Sequence, residues 1–285
     1  MLGKYADILT DRVFKRSFGS ERWKRLTELL LQLLIPERQI ASIRFSPTEH
    51  VNLFSSSKDI RVDVECTDAD GSRFMVEMQL APQRDFYERA IYNSSFGIQQ
   101  QIAVGERNYL YKPVYFIGIM DFGFHKGDNR VLYRYRLRED ESGELMSCNL
   151  RYIFVELPNC AQSEEHAETL PDRVFYSLKN MSRMDAIPKG WDGDEIIRLL
   201  FESVKLSKFT PTEKNSYLED MRTKQDIENQ IAYAAEQGLK VGMERGMERG
   251  MELGIAEGSA KERARIADVL KGLNVPDDVI AKAIE

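Results

Sequence analysis

Three oxygen-bearing side chains, Asp63, Glu77 and Gln79, stand where two short alternating segments would fold against each other. Oxygen ligands are what a hard divalent cation takes. The segment IRVDVECTDADGSRFMVEMQL, residues 60–80, reads as two β-strands around a turn at Ala69, Asp70 and Gly71. A three-residue hairpin loop usually ends in a left-handed residue, a conformation glycine adopts without steric penalty. Asp68 then faces Ser72, the numbers of every facing pair add to 140, and Asp63 faces Glu77. Directly opposed side chains share a face with Cβ atoms roughly 4.5–5.5 Å apart, and Gln79, two residues on from Glu77, shares it. Like charges so placed destabilise a sheet, whereas a bound cation makes the same pair favourable. The other face, Ile60, Val62, Val64 and Cys66 against Phe74, Val76, Met78 and Leu80, is wholly apolar and must look into a core. A plain solvated face of Arg61, Asp63, Glu65, Arg73, Glu77 and Gln79 is the competing reading of the same alternation.

The elements that would position this hairpin follow from periodicity. Residues 12–34 carry Val13, Trp23, Leu26, Leu29, Leu30 and Leu33 at helical spacing, broken by Gly19 and closed by Pro36. Alternation begins at Val51, with an edge or lead-in strand near 51–54 before the hairpin. Helical spacing returns over 84–104, and PVYFIGIMDF, residues 113–122, is the continuous apolar run of a strand covered on both faces. Strands over 130–138 and 150–157 flank the polar loop EDESGE, and the pattern beyond Pro158 is helical. Arg134, Arg136 and Arg138 fall on one strand face, open to nucleic acid or merely to solvent. The expectation is an α/β fold, a mixed β-sheet flanked by helices, followed by an all-helical C-terminal region. Its parts are a core over 1–158, a helical extension over 159–235 and a tail over 236–285.

The spacing Asp63, thirteen residues, Glu77-Met78-Gln79 resembles the D…ExK core of the PD-(D/E)XK nucleases, and more closely the recombination-promoting nuclease (Rpn), transposase-like family. Other stretches agree in order: Asp11-Arg12-Val13-Phe14-Lys15 with Phe18-Gly19 near the N-terminus, Arg89, Tyr92, Gln101, Gly105 and Tyr109 after the hairpin, then PVYFIGIMDF and a glycine-periodic helix. The resemblance covers most of the chain. It implies a metal-dependent DNA endonuclease linked to recombination or a mobile element, with Asp63, Glu77 and Gln79 catalytic. Asp63 and Glu77 would hold Mg²⁺, or Mn²⁺ or Ca²⁺, and Gln79 would orient the attacking water. Arg89, Lys58 and Lys15 are candidates to meet phosphate, with Asp11, Tyr92 and Gln101 in support; Gln101 would hold the helix to the strand ends. A helical projection puts Gln100 rather than Gln101 on the Arg89 side, and the choice stays open. Tyr92 and Phe96 are expected in the core. One departure is Gln79 in place of lysine, which removes a cation from the motif. A degenerate nuclease fold that only binds nucleic acid or protein is therefore the alternative, while no motif places the third carboxylate of a DDE transposase.

Bulk properties narrow the class. The 285 residues are 42% hydrophobic and 30% charged, as in soluble globular proteins. The most apolar run, Leu29 to Ile35, is far shorter than the roughly 20 residues of a membrane span. Asp7 and Asp11 interrupt any secretory apolar stretch, and three cysteines, Cys66, Cys148 and Cys160, without a CxxC pair suit a reducing cytoplasm. His50, His125 and His166 are isolated and expected at the surface. A net charge of −6 disfavours nucleic acid, but residues 1–50 hold nine Lys or Arg against six acids.

Gly238, Gly242, Gly246, Gly250, Gly254 and Gly258 recur every four residues. Each glycine costs a helix about 1 kcal/mol relative to alanine. Arg245 with Glu248 and Arg249 with Glu252 return only a few tenths each. Such a segment needs a partner helix, which implies a homo-oligomer through the C-terminal helix, or it serves as a tether. Residues 260–285 read as a helical pair turning at Asn274-Val275-Pro276.

Overall fold

A computed structural model describes residues 3–50, 60–125 and 127–283. The opening periodicity becomes two helices, α1 (Asp11–Phe18) and α2 (Lys24–Leu34). Gly19 caps α1, its N–H donating to Lys15 O at 2.7 Å, and a single 3₁₀ turn, Glu21–Trp23, joins the two. Strand β1 (Ile43–Phe45) follows, then β2 (Glu49–His50) and β3 (Ile60–Arg61), which among the described residues pair only with each other. The expected strand near 51–54 lies outside the described residues. β1 was not anticipated, because three residues are too few to declare a period.

The hairpin is β4 (Val64–Asp68) and β5 (Arg73–Gln79). Val64 pairs with Val76 and Thr67 with Arg73, the register the turn chemistry dictates. Asp68 N–H donates to Ser72 O at 2.9 Å across the turn, and Gly71 takes a φ of +90°. Then come α3 (Phe86–Gln99), β6 (Val114–Met120), β7 (Leu132–Arg138) and β8 (Leu145–Glu156). Six strands make one mixed sheet in the order β1-β4-β5-β6-β8-β7, with β5, β6 and β8 parallel. Every residue of β6 is buried, as its apolar run requires. β8 begins at Leu145, earlier than residue 150, because its first turns pair with β7 across irregular register.

One sheet face carries the main core. Val64, Cys66, Phe74, Val76 and Met78 pack with Phe14, Phe18, Leu26, Leu30 and Leu31 of α1 and α2. Helices α4 (Leu170–Asn180) and α5 (Glu195–Ser203) join the same cluster through Val174, Leu178, Ile197 and Leu200. The other face is not wet: α3 lies over it, and Met75, Phe86, Ala90, Phe116 and Phe154 form a second cluster. Glu65 and Glu77 are therefore buried, at 1% and 7% exposure, rather than solvated. Val62 belongs to this second cluster and not to the Val64 face, because the chain bends between β3 and β4 and the alternation slips. Arg134 donates to Leu34 O at the end of α2 and Arg136 lies 3.4 Å from Glu37, so that strand face is occupied from within the protein. His125 is also no plain surface residue, being half-buried between Glu156 and Tyr135. His166 is exposed, and the side chain of His50 lies outside what is described.

Helix α6 runs unbroken from Pro211 to Gly272, and α7 (Asp277–Ala283) follows a turn with Asn274 at φ +54°. The chain divides into two compact units, residues 1–225 and 226–285. Within the first, the N-terminal segment is fastened by late residues. Ala6 N–H donates to Val204 O at 2.8 Å, Asp7 N–H to the Tyr217 hydroxyl at 3.0 Å, and Lys224 Nζ to Asp7 Oδ2 at 2.8 Å. Among the described residues no helix is long and apolar enough to cross a membrane.

Candidate active site

Asp63 sits in the bend that precedes β4 and takes over from the strand ladder there. Its Oδ2 accepts the Met78 N–H at 2.7 Å, so the carboxylate is held against β5 by the backbone it would otherwise pair with. Glu77 points from β5 toward α3. Its neighbour on β6 is Gly118, where a Cβ would come within 2.8 Å of Phe154 and 3.0 Å of Phe86, so only glycine lets those rings close over the sheet.

Arg89, one turn into α3, bridges the site. Its Nη2 donates to Glu77 Oε1 and, at 2.7 Å, to Gln79 Oε1, while Nη1 donates to Gln83 Oε1. Gln79 Nε2 donates to Ala81 O at 3.2 Å, which fixes the amide's orientation. From α1, Lys15 Nζ lies 2.7 Å from Asp11 Oδ1 and 3.5 Å from Asp63 Oδ1. The motif lacks lysine at position 79, yet two cations from two helices flank its carboxylates.

Burial dominates the electrostatics. It lifts the Asp63 carboxyl above its ordinary range against the Met78 N–H and Lys15, with Asp11 adding to the rise. It pushes Glu77 up to about 7, helped by the Asp63 charge and opposed by Arg89. An ion pair alone would lower Glu77; desolvation outweighs it because the side chain is only 10% exposed. Glu77 Oε2 is buried with no hydrogen-bond partner among the described residues. Leaving such an acceptor unmet costs about 1–3 kcal/mol, and a cation there would relieve it. Mg²⁺ commonly binds through one or two carboxylates and keeps several waters, so the pair fits a hard dication. Among the described residues no trio of His, Cys, Asp and Glu gathers at ligand spacing.

The structure thus gathers Asp63, Glu77, Gln79, Arg89, Lys15 and Asp11. Gln101 lies apart: it donates to Gly97 O and Lys112 O and accepts from Lys112 N–H, tying the end of α3 to the approach to β6. Gln100 accepts from Arg73, so neither glutamine reaches Arg89. Tyr92 is 39% exposed on α3 and Phe96 half-buried, against the core packing expected of them. The small residues Ala90, Ser94 and Gly97 take the sheet-facing positions instead. Lys58 lies outside the described residues. Gln83, which steadies Arg89, had no signal in the sequence beyond its place in a polar loop.

A mixed sheet backed by helices, with Asp63 at the bend before a hairpin whose second strand carries Glu77-Met78-Gln79, defines a PD-(D/E)XK nuclease-like α/β fold. Residues 8–234 match the family model described as PD-(D/E)XK nuclease family transposase, and the chain belongs to that family. No curated protein and no solved structure matches the chain.

Proposed function

We propose that the chain is a cytoplasmic, metal-dependent endonuclease that hydrolyses DNA phosphodiester bonds in recombination or the movement of a mobile element. The observation that carries this reading is the buried Glu77 with the half-buried Asp63 near it, Glu77 Oε2 unmet among the described residues and Arg89 locked beside it. Asp63 and Glu77 would hold Mg²⁺, with Mn²⁺ or Ca²⁺ as alternatives. Such an ion, when bound, lowers the pKa of a water and neutralises charge on the phosphate. The chain's own groups do the rest. Gln79 keeps one N–H and one lone pair to orient the water. Arg89, held by three oxygens, supplies at Gln79 the fixed positive charge that the motif's third residue lacks, and faces the developing phosphate charge without reorganising. Lys15 and the Met78 N–H hold Asp63 in place.

The partner is DNA. Self-association is assigned to the second unit, where Met243, Met247, Met251 and Ile255 stand exposed at four-residue steps beside the glycines. A second reading, a nuclease fold that binds without cutting, is favoured by one observation: Arg89 already occupies Glu77 Oε1. Incubation with supercoiled plasmid in Mg²⁺, Mn²⁺ or Ca²⁺, with EDTA as control, separates the two. Nicked or linear product that disappears in EDTA and in Glu77→Ala is expected; equal cleavage by wild type and Glu77→Ala would overturn the catalytic reading.

A further inference from the structure

A cleft of about 540 Å³ opens between α3 and the β7–β8 edge of the sheet, lined by the rings of Tyr87, Phe124, His125, Tyr135, Tyr152 and Phe154. It shares α3 with the carboxylate site. Tyr87 and Ile91, which border the cleft, flank Arg89 by two residues either way, about 200° around the helix, so the same helix presents one side to each. The two also share a row across the sheet: Glu77 pairs laterally with Gly118, Gly118 with Phe154, and Phe154 with Tyr133. Two strand spacings place Phe154 roughly 10 Å from Glu77.

The cleft has one polar corner, and it is built from a buried group. Glu156, fully buried, accepts the Phe124 N–H at 3.0 Å and lies 2.6 Å from His125 Nδ1. A carboxylate at Nδ1 makes that nitrogen a donor, and Nε2 lies 2.6 Å from the Tyr135 hydroxyl. The His125 ring is stacked 3.7 Å from Tyr133, which fixes its plane. The Tyr87 hydroxyl also bonds to the Tyr135 oxygen, which leaves that oxygen a single lone pair as an acceptor for an amino or ring N–H at the cleft. Arg136, which also borders the cleft, has its guanidinium 3.4 Å from Glu37. Stacking rings with one acceptor and a committed arginine suit a flat heterocycle rather than its phosphate.

We infer that this cleft receives a single unstacked base of the DNA strand whose phosphate lies at Glu77. The inference rests on the nuclease reading above for that strand's position. Ring stacking is sequence-tolerant because every base has a π-face, and an unpaired base has little unstacking energy to lose. The cleft therefore favours strands with an unpaired or easily extruded base beside the cut.

The test uses the full chain in EDTA with short fluorescent single-stranded oligonucleotides that differ only in the position of one abasic site. Wild type should bind the intact strand roughly tenfold more tightly than the strand abasic at one particular position, the scale of one stacked base. Tyr135→Leu should abolish that preference, whereas Tyr135→Phe, which keeps the ring, should retain most of it; melting curves for both variants confirm folding. Equal binding of all strands by wild type, or an undiminished preference in Tyr135→Leu, overturns the inference. A second copy filling the cleft would instead change the mass of Tyr135→Leu by light scattering with no abasic preference in wild type, which overturns it too. Plasmid cleavage is read separately. An abasic preference without cleavage leaves the cleft standing and sinks the nuclease reading, and Glu77-dependent cleavage without the preference does the reverse.

Discussion

At Glu77 proton binding and stability are one equilibrium, and a dication held there would be coupled to both. Its carboxyl is raised from an ordinary 4.5 to about 7, so the folded chain binds a proton there more tightly than the unfolded chain does. That contribution is fully present below about 4.5 and lost as pH rises through about 7, with roughly 3 kcal/mol as its upper bound. Asp63, also raised, works in the same direction. In EDTA the melting temperature should therefore fall between pH 5 and pH 8, and Glu77→Gln should flatten the fall; an equal slope in both proteins would remove Glu77 as the cause. Mn²⁺ must displace the proton, so its effect should have the opposite trend and strengthen toward pH 8. At a hundredfold excess over Kd a ligand adds about 2.7 kcal/mol. Asp63→Asn should lose most of that gain, and an identical Mn²⁺ shift in wild type and Asp63→Asn would show that Asp63 is no tight ligand.

Among the elements, the β4–β5 hairpin was the most legible and α3 the least. Gly71 and strict alternation fix the hairpin register because turn chemistry is local and a one-residue slip would turn the whole apolar set outward. The break at Val62 and Asp63 was not legible, since a side chain there replaces a backbone acceptor and no periodicity records that. Nor was the cover over Glu77. Helix α3 faces the sheet with Phe86, Ala90, Ser94 and Gly97 while Ile91 and Tyr92 look outward, so hydrophobicity points to the wrong side. Its close approach depends on Gly118. Gly118→Ala should force Phe86 and Phe154 apart and cost about 1–3 kcal/mol in urea unfolding, the scale of an overpacked core. An unchanged midpoint would mean the rings have room that the 2.8 Å approach denies.

For the whole molecule, the separation into residues 1–225 and 226–285 keeps the candidate site in one unit and the glycine-periodic helix in the other. At Gly238 through Gly258 an added Cβ would meet nothing within 4 Å among the described residues, so these glycines leave bare backbone along α6. Deleting residues 238–285 spares Tyr217 and Lys224, which are buried in the first unit, and should lower the number of protomers per particle measured by light scattering while the shortened chain stays folded. Equal protomer numbers at matched concentration would make the segment a tether.

The fastening of the N-terminal segment has a consequence in time. Asp7 is closed in by Tyr217 and Lys224, residues made more than two hundred positions later. A ribosome adding roughly 5–20 residues per second needs on the order of ten to forty seconds to reach them. For most of that interval, from residue 77 onward, the growing polypeptide already carries Asp63 and Glu77, while the clasp on the segment leading into α1 has not yet been synthesised. Translation thus delivers the candidate carboxylates first and the last fastening of their frame near the end, so a prematurely terminated product has the carboxylates without the finished frame around them.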